Sequence, residues 1–148
     1  MTREKLKIAG IAKTVLTNSD GRIKEIMFLG NNATAQVKIH TIQKILQDTG
    51  LTKVNSIHLY SATGALAGNE VFRFSAASVT SGTVGGSTAT GVVSGQATMT
   101  ANITVLAIAL HTNSTAAADG SAGYALVTAS IALSQNDVFG VTWCLTVQ

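Results

Sequence analysis

The chain has 148 residues, a formal net charge of +3, three histidines, no proline and a single cysteine, Cys144. A length of one domain can bury about two thirds of its unfolded surface without staples, and one cysteine excludes an internal disulfide and leaves a structural zinc site without support. Charge is segregated: all ten Lys and Arg lie in residues 1–74 with five acids, whereas residues 75–148 carry only Asp119 and Asp137. A free-standing surface usually needs about a quarter of its residues charged, so the second half is expected to be covered by neighbouring protein or solvated by hydroxyls and amides.

The N-terminal basic residues Arg3, Lys5 and Lys7 precede no apolar run of signal-peptide length. The longest apolar stretch, 103–110, is broken by Thr104 and is less than half a membrane span. An unexported chain with no membrane partner is the expectation. Residues 6–16 place Leu6, Ala9, Lys13 and Leu16 on one helical face, so a short helix is possible there, weakened by Gly10. Asn18-Ser19-Asp20-Gly21 is a turn leading into a candidate strand at 21–29. Residues 35–39 alternate like a strand, and Ile42, Ile45 and Leu46 fit a helix over 41–49 closing at Gly50.

Residues 56–60 and 70–74 form strands flanking Ser61-Ala62-Thr63-Gly64. Residues 75–95, with Gly82, Gly85, Gly86, Gly91 and Gly95 among Ser, Thr and Val, form a long loop or an irregular hairpin tip. A longer strand spans 97–110. Its first part alternates Thr with apolar residues, and its second part is apolar on both faces, as an interior strand would be. After a second small-residue loop at 113–123, residues 124–133 make a strand. The turn Ser134-Gln135-Asn136-Asp137 then leads into a final strand on which Phe139, Val141, Trp143, Leu145 and Val147 share one face.

Many short strands punctuated by turns indicate a mainly β fold, an antiparallel sandwich or jelly-roll-like barrel with one or two short helices in the N-terminal half. The expected organisation is a single domain over 1–148, with a mixed α/β portion at 1–52 and a β-sandwich portion at 53–148.

Chemistry-bearing patterns are sparse. His40, His58 and His111 stand far apart beside apolar or hydroxyl residues, where lone strand histidines are usually structural. Cys144 alternates with the apolar face of the last strand and is a small packing residue. The glycines of 81–95 lack a P-loop lysine, and no basic residue follows Arg73 to meet a phosphate. The basic pairs Lys5/Lys7, Arg22/Lys24 and Lys38/Lys44 are dilute, and seven aromatics offer no base-stacking platform, so nucleic acid is not an expected partner. The N-x-[ST] triplets at Asn32, Asn102 and Asn113 are coincidences of a Thr-rich composition. No enzyme activity, catalytic residue, cofactor or metal is expected.

The ending from Gln135 through Gly140-Val141-Thr142-Trp143-Cys144-Leu145-Thr146-Val147 resembles that of small bacteriophage virion proteins, in which an Asp-bearing turn enters a final strand of the form L-x-V-T-W-x-L. The likeness covers about the last 50 residues, and Gly140 departs from it. It implies a structural protein located in the virion: a capsid decoration or cement protein, or alternatively a tail, collar or fibre component. The expected partners are copies of the chain, with a trimer favoured, and the major capsid protein or other virion proteins. A carbohydrate-binding β-sandwich module using the loops at 75–95 and 113–123 is a further alternative, although those loops contain no aromatic residue.

Overall fold

Large and small side chains alternate across the final strand, and that alternation explains how the sheets assemble. The computed structural model describes residues 8–32, 54–63, 68–81, 89–111 and 125–147. Within them run β1 (Ile8–Thr17), β2 (Ile23–Asn32), β3 (Ser56–Tyr60), β4 (Glu70–Ser75), β5 (Ser78–Ser81), β6 (Ala89–Thr98), β7 (Ile103–His111), β8 (Ala125–Leu133) and β9 (Val138–Val147). They form two antiparallel sheets, ordered β2-β1-β9-β6-β5 and β4-β3-β7-β8. On the inner face of the first sheet Trp143 lies between Ala12 and Val93, Val141 between Thr14 and Gly95, and Leu145 between Gly10 and Gly91. Small flanking residues make room for large ones on β9, so Phe139, Val141 and Trp143 are buried without crowding.

One hydrophobic cluster joins these residues to Ile57 and Leu59 of β3, Ile108 and Leu110 of β7, and Val127 and Ile131 of β8. The two sheets therefore share a core. β1 pairs along its whole length with β9, so the described N-terminal strand belongs to the same sheet as the last one.

The helix expected over 6–16 is a strand in its described part, 8–17. Burial there alternates with period two: Ala12, Thr14 and Leu16 are buried, while Ile11 and Lys13 are exposed. Pairing on both sides, with β2 and β9, satisfies its backbone and outweighs a weak helical preference. The helix expected over 41–49 lies outside the described residues, as does the loop at 113–123.

The strand expected over 97–110 is two strands in different sheets, separated at residues 99–102. Buried Met99 gives its backbone to the 134–137 turn instead of a ladder: its N–H donates to the Asp137 carbonyl at 2.8 Å and its carbonyl accepts from Asn136 N–H at 2.9 Å. Asn102 Oδ1 accepts from Gln135 N–H at 2.8 Å, which fixes the crossing from its other end. The 75–95 stretch contains β5 and most of β6, a hairpin whose residues 82–88 lie outside the described residues.

Gly95 sits where the chain passes between sheets after β4. A Cβ there would meet the Ser75 carbonyl oxygen at 2.9 Å and the Phe74 ring at 3.3 Å. Because the nearer obstacle is backbone, Gly95→Ala is expected to cost about 1–3 kcal/mol, measured as a lowered urea midpoint. A neutral substitution would mean that the β4–β5 passage is free to shift.

Candidate functional site

Three β-bulges decide which side chains meet. In β2 the extra residue is Lys24, since Leu16 faces Glu25 while Thr17 faces Ile23. In β4 it is Val71, since Leu59 faces Phe72 while Tyr60 faces Glu70. Between β7 and β8 the register shifts by one, since Val105 faces Ile131 while Ala107 faces Thr128, which leaves the extra residue on β8 opposite Leu106. Such a shift reverses the alternation of faces between paired strands. The shift between β7 and β8 lets Val105 share the core with Ile108 and Leu110 while Ala107 and Ala109 turn to the far side. The bulge in β4 sets Glu70 and Arg73 on one face despite their odd spacing.

That face of the second sheet carries a polar cluster. Ser56, His58 and Tyr60 of β3 alternate with the core residues Ile57 and Leu59, and all five are buried. His58 Nδ1 lies 3.0 Å from Glu70 Oε2, and His58 Nε2 lies 2.7 Å from Ser56 Oγ. Glu70 Oε1 is 3.4 Å from the Arg73 guanidinium. The His111 ring stacks on His58 with centroids 4.1 Å apart, and its Nε2 meets the Tyr60 hydroxyl at 2.9 Å. Ala107 and Ala109, opposite Tyr60 and His58, supply the floor that lets two rings fit.

A carboxylate can only accept, so beside one His58 Nδ1 is the donor, while the direction of the Ser56–Nε2 hydrogen bond depends on the tautomer of the ring. Hydroxyl, imidazole and carboxylate thus stand in the order of a hydrolytic relay. Ser56 is 1% exposed, however, and in this conformation its hydroxyl is held inside the fold. No group of three or more His, Cys, Asp or Glu among the described residues could hold a metal ion.

Two of the three histidines singled out from the sequence therefore come together, while His40 lies outside the described residues. Glu70, the partner that organises them, carries no spacing signal in the sequence; the alternation of Ser56, His58 and Tyr60 with large apolar residues is the signal present there. Cys144 is on β9, half-buried and on the face opposite Trp143. Of the basic residues, Lys24 and Arg73 are engaged by Asp137 and Glu70.

Asp137 ties three parts of the fold together. Its carboxylate accepts from Lys24 Nζ at 2.8 Å and from Ser134 N–H at 2.9 Å. The Lys24 hydrogen bond, then that from Ser134, hold its carboxyl below the ordinary value, and burial opposes them. A carboxyl lowered on folding contributes stability above its unfolded pKa of about 3.9. That contribution is lost as pH falls through the lower folded value. Asp137→Asn is expected to lose about 1–2 kcal/mol at pH 7, with the gap to the parent closing below about pH 4. Urea midpoints across that range test it, and a gap independent of pH would remove the ionic contribution.

The outer face of the first sheet is different in character. The β2 bulge brings Ile23 onto the side occupied by Ile26 and Phe28, and β1 adds Ile11. These residues are 62, 47, 69 and 56% exposed. Lys13 lies among them with its ammonium 6.0 Å from the Phe28 ring centroid. An apolar surface on a sheet face, with β2 outermost among the described strands, is suited to burial by another protein. No protein-family model, curated protein or solved structure matches the chain.

Proposed function

We propose that this chain is a structural component of a bacteriophage virion, a decoration protein that stabilises the head by associating with copies of itself and with the major capsid protein. The observation that carries this reading is the exposed apolar face of β1 and β2, built from Ile11, Ile23, Ile26 and Phe28. Covering a large apolar side chain in full is worth about 1.5–3 kcal/mol, so this surface favours an assembled state. Lys13, exposed among these residues, suits the face to a partner with acidic groups. The resemblance of the Asp137–Val147 ending to virion proteins points the same way.

In this reading the two sheets form an antiparallel sandwich. β6 crosses to β7, β7 turns back as β8, and β8 returns as β9 beside β6, giving the folded double hairpin from which jelly rolls are built.

Co-sedimentation of the purified chain with empty phage heads, at low and moderate salt, is the test. Saturable binding supports the reading, whereas a chain that stays monomeric and remains in the supernatant overturns it. Copies per particle separate head from tail: hundreds place it on the head, and about a dozen or fewer place it in the tail, collar or fibre.

A further inference from the structure

We propose that two copies of the chain join through β2, antiparallel about a two-fold axis beside Phe28, so that two five-stranded sheets become one continuous sheet. This names the partner and contact for the self-association proposed above, and it rests on that reading. β2 is the outermost strand of its sheet among the described residues, yet it is apolar on both faces. Met27 and Leu29 pack against the core, while Ile23, Ile26 and Phe28 face outward and exposed. Strands apolar on both faces belong inside sheets covered on both sides, and a long apolar edge is a template for pairing.

The register follows from self-complementarity. A two-fold axis perpendicular to the sheet keeps each face on its own side, so it must pass beside a residue that opposes itself. Axes at Ile26 or Met27 would set the Glu25 carboxylate against Met27 or Leu29, which pack on the core. Axes beyond Phe28 shorten the ladder. The axis at Phe28 uses residues 24–32, a ladder about 30 Å long.

It sets Met27 opposite Leu29 twice on the inner face, and Phe28 opposite its counterpart on the outer face. Ile26 then falls opposite Gly30, where a Cβ would meet nothing within 4 Å. That open space, beside Ile11 on β1, receives the isoleucine of the second copy. Charge agrees as well. The ionic residues of the strand, Lys24 and Glu25, lie at one end, so the two-fold sends like charges to opposite ends of the ladder. Lys13 flanks the Phe28 pair on both sides, with its cation near the ring.

The experiment is sedimentation of the full chain combined with cysteine cross-linking in a Cys144→Ser background. A wild-type dimer is expected at about 100 µM, and Phe28→Asp raises its dissociation constant about 30-fold or more. Val79→Lys, on the opposite edge strand, leaves it unchanged. Opposed antiparallel residues have Cα atoms about 4.5–5.5 Å apart, within disulfide reach. Oxidised Phe28→Cys therefore forms a covalent dimer by itself, Ile26→Cys does not, and Ile26→Cys mixed with Gly30→Cys does. A trimer, or self-linking at Ile26, overturns the Phe28-centred edge while leaving a self-associating particle protein. A monomer overturns the edge, and if it also fails to sediment with empty heads it overturns the virion reading too.

Discussion

Replacing His58 with alanine should destabilise the fold by about 3–5 kcal/mol, the cost of breaking a buried, charge-linked network by removing one member. His58 is fully buried and serves three neighbours at once: Ser56 at Nε2, Glu70 at Nδ1 and the stacked ring of His111. Alanine opens a cavity, removes the imidazole N–H from a carboxylate that is only 17% exposed, and strips the support from His111. Ser56→Ala deletes one hydroxyl beside a ring still held by Glu70 and should cost about 1 kcal/mol. Trp143 is the sole tryptophan and is fully buried, so its emission during urea titration reports global unfolding for both variants. A loss below about 1 kcal/mol for His58→Ala would show that the cluster is not holding the two edges of β3 together, and would return attention to its relay-like order.

The strands were legible where turn residues bound a short run. β3 and β4 lie where the turn residues flanking them placed them, and the change of character along 97–110 reflects two events: the chain leaves one sheet at Met99, and the register shift between β7 and β8 turns Ala107 and Ala109 away from Val105. Neither event could be read locally, because the backbone partners of Met99 come from a turn 37 residues later. β1 was misread for a related reason. Its apolar residues occupy both faces, Ala12 and Leu16 inward and Ile11 outward, which blurs a period of two into something a helix also fits. The polar cluster was hidden by register: Glu70 reaches His58 only because Val71 is a bulge, and no spacing rule announces a bulge. The outward residues of β2 were hidden likewise, since Ile23 joins Ile26 and Phe28 only across the extra residue Lys24.

The second large effect concerns Trp143. Its indole occupies the middle of the core, yet Nε1 is a buried donor with no acceptor among the described residues. Such a group forfeits about 1–3 kcal/mol of hydration, so the residue stabilises through volume and contact while its polar atom works against it. Trp143→Ala should therefore cost about 3–5 kcal/mol, because Ala12 and Val93 on either side are too small to close the space. Trp143→Phe gives up part of the volume but also abolishes the orphan N–H, and these changes offset to within about 1 kcal/mol. Guanidinium midpoints followed by far-UV circular dichroism measure both variants without relying on tryptophan emission. If the phenylalanine variant proves as unstable as the alanine one, the indole N–H is contributing a hydrogen bond and the balance drawn here between packing and desolvation is wrong.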